Sequence, residues 1–181
     1  MHKRYQKHFA RMGVLVAREL QLNENSPIPR VAILCKRYRI RGRLDFVVRK
    51  DKLYVVEFKS ASEKSFLRMV KSGPYKHYID QLQLYLFLSG IRDGLILLEN
   101  KNTQETHEFY YELDSARIRW LCRKMDCINH HVFSLMLPPP EHHRDSFECV
   151  YCDYTEACWS SEPERYLIEN RKYLLGLLLG E

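Results

Sequence analysis

No apolar run in these 181 residues approaches the ~20 needed to cross a bilayer, which excludes a transmembrane helix. The opening residues Met1-His2-Lys3-Arg4-Tyr5 carry no apolar stretch of the secretory type, so an intracellular, cytoplasmic protein without a membrane role is expected. Internal repeats and low-complexity tracts are also lacking. What remains is 45% hydrophobic and 29% charged, the balance of a soluble folded chain with a full core and room for a small appendage. The net charge of +6 is compatible with a nucleic-acid partner but does not by itself establish one.

The most informative stretch is Asp45 to Lys59, which predicts two apolar strands joined by a charged turn near Lys50-Asp51. Residues i and i+2 of a strand share a face, so Glu57 and Lys59 project together, with Val56 and Phe58 on the other side. Asp45 then falls roughly opposite Val56 and Glu57. Two acids and an amine converge at one end of the hairpin. Such a set can hold a hard divalent cation on carboxylate oxygens, with an ammonium beside a developing phosphate charge. The same residues would also make an ordinary cross-strand ion pair. Just before them, Lys36 to Arg43 alternates basic residues. As a strand it would align Arg37, Arg39, Arg41 and Arg43 on one face, either a solvated face or a phosphate-contacting track that leads to Asp45.

Around this hairpin the pattern predicts a helix over residues 4–22 with a stripe of Phe9, Met12, Val16 and Leu20. A loop over 23–29 and strands over 30–41, 42–49 and 53–60 follow. Residues 62–72 form a charged connection. Pro74 opens a helix that Gly90 ends, and Leu95 to Leu98 is a strand buried on both faces. A strand over 106–113 places Phe109, Tyr111 and Leu113 on one side. Asp114 or Ser115 caps a helix reaching about Phe133, and a last helix starts near Ser161. The fold class is α/β (α+β): a mixed sheet with helices packed on it.

On the helix after Lys59, Gln81 and Tyr85 stand four apart and share one side. Taken together, Gly42-x-x-Asp45, Glu57-x-Lys59 and Gln81-x-x-x-Tyr85 resemble the RecB-like branch of the PD-(D/E)xK nuclease superfamily, the CRISPR-associated exonucleases in particular. The resemblance implies a restriction-endonuclease-like sheet and metal-dependent hydrolysis of DNA phosphodiesters, at single strands or duplex ends. Asp45, Glu57 and the Phe58 carbonyl would ligate Mg²⁺ or Mn²⁺, Lys59 would orient the attacking water or stabilise the transition state, and Gln81 and Tyr85 would position the strand. One departure stands out. Where these relatives often place a histidine after Gly-x-x-x on the first helix, this chain has Ala17. Glu19 on the same predicted helix is a candidate replacement. The alternative function is a DNA-binding or assembly module with a weak or inactive site, as in CRISPR spacer acquisition or viral recombination.

Six cysteines occur. Cys149-x2-Cys152-x5-Cys158 has metal-ligand spacing, and clustered cysteines in an intracellular chain more often bind metal than form disulfides. The triplet resembles the cysteines that hold an iron–sulfur cluster in the same nucleases. Either Cys35 completes a 4Fe–4S site, or His142 or His143 completes a structural zinc site. The expected division is a nuclease core over 1–137 and a cysteine-rich segment with the last helix over 138–181. The leucines of 174–179 would cover all sides of a helix and suggest a homo-oligomer or a nucleic-acid-processing complex.

Overall fold

The computed structural model describes residues 2–159, and these divide into two compact units after Cys122. In the first, helix α1 (His2–Arg11) leads into strand β1 (Leu15–Leu22), helix α2 (Pro29–Tyr38), strands β2 (Gly42–Arg49) and β3 (Leu53–Ala61), and helices α3 (Glu63–Ser72) and α4 (Lys76–Ser89). Strands β4 (Asp93–Asn100) and β5 (Thr106–Glu112) and the start of helix α5 (Ser115–Phe133) complete it. The second unit holds the rest of α5 and the short helices α6 (Phe147–Val150) and α7 (Thr155–Cys158). The last helix and its leucine run, expected from Ser161 onward, lie outside the described residues.

The five strands form one mixed sheet in the order β1-β2-β3-β4-β5. β1, β2 and β3 are antiparallel neighbours, β3 and β4 run parallel, and β5 returns antiparallel at the edge. The parallel step is forced by the α3–α4 crossover between β3 and β4. Such a central pair is covered on both sides. Accordingly Val55 and Ile96 of the sheet pack with Leu82 and Leu86 of α4 and with Val31 and Cys35 of α2, while Phe46, Val56, Phe58 and Leu97 pack under α1. The edge strand β5 instead alternates, with Phe109 and Tyr111 turned toward the core.

Three elements differ from the sequence pattern. The expected helix over 4–22 stops at Arg11, because Gly13 takes a left-handed φ of +70° and the chain turns into β1. Two members of the supposed stripe, Met12 and Val16, are left exposed. The expected strand over 30–41 is mostly helix α2. Pro29 opens it, where a missing N–H costs nothing. Arg39, at φ +54°, closes it in a Schellman arrangement: the Ile40 N–H reaches the Cys35 carbonyl at 3.1 Å, and the Arg39 N–H reaches that of Lys36 at 3.4 Å. Val31, Cys35 and Tyr38 form its buried face. Arg37 therefore lies on a helix, Arg39 in its cap, Arg41 in a connection and Arg43 on β2, so the four share no strand face. Finally, the charged connection over 62–72 is helix α3, anchored by buried Phe66 and Met69.

Buried Gln83 fastens α4 to the far end of the sheet. Its amide donates to the Glu112 carbonyl and accepts from the Asp114 N–H, both at 2.8 Å. Asp114 in turn caps α5 by accepting from the N–H groups of Ala116 and Arg117. Among the described residues no helix is long and apolar enough to cross a membrane.

Candidate active site

The β2–β3 ladder pairs Phe46 with Val56 and runs to Arg49 with Leu53. It stops one residue short of Asp45 and Glu57, which the register sets opposite each other. There the ladder is replaced by a side chain: Asp45 Oδ2 accepts the Phe58 N–H at 2.9 Å. Strict alternation also breaks at this point. Leu44 and Val47 pack beneath α2 and α4, whereas Phe46 and Val48 pack beneath α1. The irregularity lets a carboxylate enter an otherwise apolar sheet and meet Glu57.

Both acids are buried, Glu57 at 3% exposure. Glu57 Oε1 accepts from Lys59 Nζ at 2.7 Å, whereas Glu57 Oε2 has no hydrogen-bond partner. Burial first, and then the charge of Asp45, push the Glu57 carboxyl up to about 7, against the pull of Lys59. An orphaned carboxylate oxygen beside a second carboxylate is the donor set that a divalent cation satisfies. The residues therefore fit a metal ion. Among the described residues, no third His, Cys, Asp or Glu joins them in a group that could hold one. A cation on Asp45 and Glu57 would therefore take its other ligands from backbone oxygen and water, as Mg²⁺ commonly does.

Helix α4 supplies the other half of the site. Lys59 Nζ donates to Gln81 Oε1 at 2.8 Å, and Gln81 Nε2 donates to the Tyr85 hydroxyl at 3.0 Å. The order is chemically determined: an ammonium can only donate, so the amide oxygen faces Lys59 and the amide NH₂ faces Tyr85. Glu57, Lys59, Gln81 and Tyr85 thus form one unbroken chain. Gly42 belongs to it sterically, because a Cβ there would lie 2.7 Å from Tyr85 Cε1. Asp45, Glu57, Lys59, Gln81 and Tyr85, drawn from three elements, come together as the sequence spacing predicts.

Glu19 does not join them as expected. It lies on β1 rather than on a helix, exposed and with a left-handed φ of +47°. The pairs Arg18–Phe46 and Leu20–Leu44 bracket it and Asp45 without pairing the two. Tyr78 was missed by sequence reasoning. Its ring centroid is 4.9 Å from Lys59 Nζ, and its place three residues before Gln81, on the same helix side, was the available signal.

A sequence model of the PD-(D/E)XK nuclease superfamily matches residues 1–159. The chain belongs to the PD-(D/E)XK nuclease superfamily. It is similar to the CRISPR-associated exonuclease Cas4 of Saccharolobus solfataricus (strain P2), at 30% identity over 125 residues, 68% of this chain and 54% of that protein. The chain thus spans about half the length of the curated relative it matches. Among solved structures, LHK-Exo in complex with dAMP, an alkaline exonuclease from Laribacter hongkongensis, is similar at TM-score 0.54 and 13% identity, over 72% of this chain and 63% of that one. SSO0001 is similar at TM-score 0.44 and 26% identity, over 67% of this chain and 52% of that one. The LHK-Exo likeness shows the restriction-endonuclease-like fold of this PD-(D/E)XK member.

The cysteines are arranged differently from the expectation. Cys35 lies in α2, not on a strand, within the core of the first unit, and burial pushes its thiol pKa up, which keeps it protonated and a poor ligand. In the second unit, Cys149 Sγ faces the His142 carbonyl at 3.9 Å, and Cys152 Sγ accepts the Tyr154 N–H. His143 Nδ1 lies 3.6 Å from Asp145. Among the described residues these side chains are not gathered into a metal-holding group.

Proposed function

We propose that this chain is a metal-dependent deoxyribonuclease that hydrolyses phosphodiester bonds at DNA ends or in single strands. The observation that carries the reading is a buried Glu57 whose Oε2 has no hydrogen-bond partner, set by the register opposite Asp45 and next to a lysine held by Gln81 and Tyr85. The exonuclease named among its relatives supports an end-directed mode.

Asp45, Glu57 and the Phe58 carbonyl would hold Mg²⁺ or Mn²⁺, which supplies an acidified water and neutralises phosphate charge. The remaining work falls to protein groups. Lys59 brings its ammonium and the one N–H donor not given to Glu57 or Gln81 to the side of the carboxylate pair, suited to orient the nucleophilic water and to meet charge as it develops on the phosphate. Gln81 limits that ammonium to one position, and Tyr85 limits Gln81. Preorganisation of this sort lets the amine act without reorganising during the reaction. Arg41 and Arg43, exposed on either side of Gly42, are suited to backbone phosphates. Arg37 and Arg39, farther along the chain on α2 and its cap, would contribute long-range charge.

The cysteine segment carries a separate proposal, supported by spacing alone: Cys149, Cys152 and Cys158 take a structural metal, Zn²⁺ or a 4Fe–4S cluster, with His143 of the same unit as fourth ligand. The arrangement described above does not gather them, and no step of the reaction depends on them. Metal content of the purified protein, with and without Cys152→Ser, tests this part.

The decisive experiment is cleavage of end-labelled single- and double-stranded DNA by the wild type and Lys59→Ala, with Mg²⁺, Mn²⁺ or chelator. Metal-dependent degradation that the variant loses is the expected result, and the product ladder gives the direction of attack. DNA binding without cleavage under any metal would replace the nuclease with a binding or assembly module, with Ala17 the first residue to examine.

A further inference from the structure

The α3–α4 corner carries an aromatic cluster that the hydrolytic site leaves unused. Tyr75 and His77 stack with ring centroids 5.6 Å apart and planes 17° from parallel. Tyr78 meets His77 edge-on at 4.4 Å and Tyr75 at 5.4 Å. The Arg68 guanidinium lies 4.2 Å from the Tyr75 ring centroid. The base of the cluster is anchored, since Tyr75 and Tyr78 pack on the buried group of Ala61, Phe66, Met69 and Leu98. Its rim is open, with His77 and Arg68 exposed. Rings that serve only to seal a core do not need an exposed histidine stacked on them.

Two further observations indicate what the rim would take. Lys64, Arg68, Lys71 and Lys76 face a single acid, Glu63, over this stretch, so the surroundings attract an anionic chain. The cluster is also continuous with the hydrolytic site, because Tyr78 rests against the Lys59 amine. A strand whose phosphate sits at Lys59 would carry its neighbouring nucleotide to these rings. Aromatic rings and guanidinium planes hold bases only where the π-face is free, as in single strands; in a duplex that face is already stacked.

We propose that Tyr75, His77 and Tyr78, with Arg68, form a stacking platform for the unpaired bases of single-stranded DNA beside the phosphodiester held at Lys59. The proposal rests on the reading of the site as a DNA nuclease. It makes the α3–α4 corner the element that favours frayed or single-stranded ends over intact duplex.

The test is equilibrium binding, in chelator so that nothing is cleaved, of a short single strand carrying 2-aminopurine and of a blunt hairpin duplex. Wild type, His77→Ala, His77→Phe, Tyr75→Ala and Tyr75→Phe are compared. Wild type should quench the 2-aminopurine on binding. Both alanine variants should bind the single strand about fivefold or more weakly, as expected for one lost stacked base. The phenylalanine variants should keep both affinity and quenching, and duplex binding should be unchanged throughout. His77 is exposed, so its replacement leaves the core intact and a loss there is not unfolding. Unchanged single-strand affinity in His77→Ala and Tyr75→Ala, or an equal loss for duplex, would overturn the platform even if the wild type cleaves DNA. A wild type that binds and quenches but cleaves nothing would leave the platform standing and remove only the hydrolytic reading.

Discussion

The ring of Tyr85 occupies the space that a side chain on residue 42 would need: a Cβ at Gly42 would fall 2.7 Å from Tyr85 Cε1 and 3.3 Å from its hydroxyl. The glycine is therefore required by a partner on α4, not by a turn. Gly42→Ala should displace the Tyr85 ring, free Gln81, and destabilise the protein by about 1–3 kcal/mol, the usual cost of overpacking. In a Tyr85→Ala background the same substitution should cost little, because the clash has gone. Thermal melting of the two single variants and the double variant measures that coupling.

Removal of the amine and removal of its holder should have different effects. Lys59→Ala should lower turnover by about 10²–10³, as for loss of one preorganised transition-state donor, with little effect on DNA affinity. Gln81→Ala leaves the ammonium in place but loosely held, so the loss should be smaller and Lys59 still required. Turnover at saturating Mn²⁺, with DNA affinity determined separately, distinguishes the two.

Gln83 provides a control for fold against chemistry, two residues from Gln81 but turned the other way. It satisfies the Glu112 carbonyl and the Asp114 N–H together. Gln83→Leu should cost about 1–3 kcal/mol or more through unsatisfied buried backbone groups, without specific loss of turnover below the melting transition. Denaturant unfolding alongside cleavage assays checks both halves.

Much of this site is legible in the amino-acid sequence, and the reasons are local. Glu57 and Lys59 stand two apart on a short strand and Gln81 and Tyr85 four apart on a long helix, spacings that put each pair on one side, whereas the break in alternation that brings Asp45 to them follows no period. Periodicity read without its breakers misleads. Phe9, Met12, Val16 and Leu20 fit a helix, but Gly13 at positive φ ends it, so Ala17 and Glu19 belong to a strand. The alternating arginines suggest a strand, whereas Val31, Cys35 and Tyr38, spaced four and three apart, bury a helical face. The α1 contacts are not legible at all. Tyr5 packs 4.8 Å from Phe58 between ring centroids, and Arg4 and Tyr5 both bond buried Glu99; these pairs lie far apart in sequence and follow no period.

With no cation present, the Glu57 carboxyl is raised from its ordinary 4.5 to about 7. Between those values the folded protein keeps a proton that the unfolded chain has released. The contribution of Glu57 to stability therefore falls as pH rises from about 4.5 to about 7, by about 3 kcal/mol, and levels off above that. A divalent cation favours the ionised form and should cancel the loss, so Mn²⁺ should raise the melting temperature strongly at pH 8 and weakly at pH 5. Glu57→Gln holds the neutral form at every pH. It should lack this part of the pH slope, melt at or above the wild type near pH 8 in chelator, and gain little from Mn²⁺. Melting curves of the two proteins at both pH values, with Mn²⁺ and with chelator, would show it. A wild type that loses no more chelator-treated stability between pH 5 and pH 7 than Glu57→Gln does, or a Glu57→Gln variant stabilised by Mn²⁺ as much as the wild type, would mean that Glu57 is not the buried, cation-seeking acid its surroundings make it.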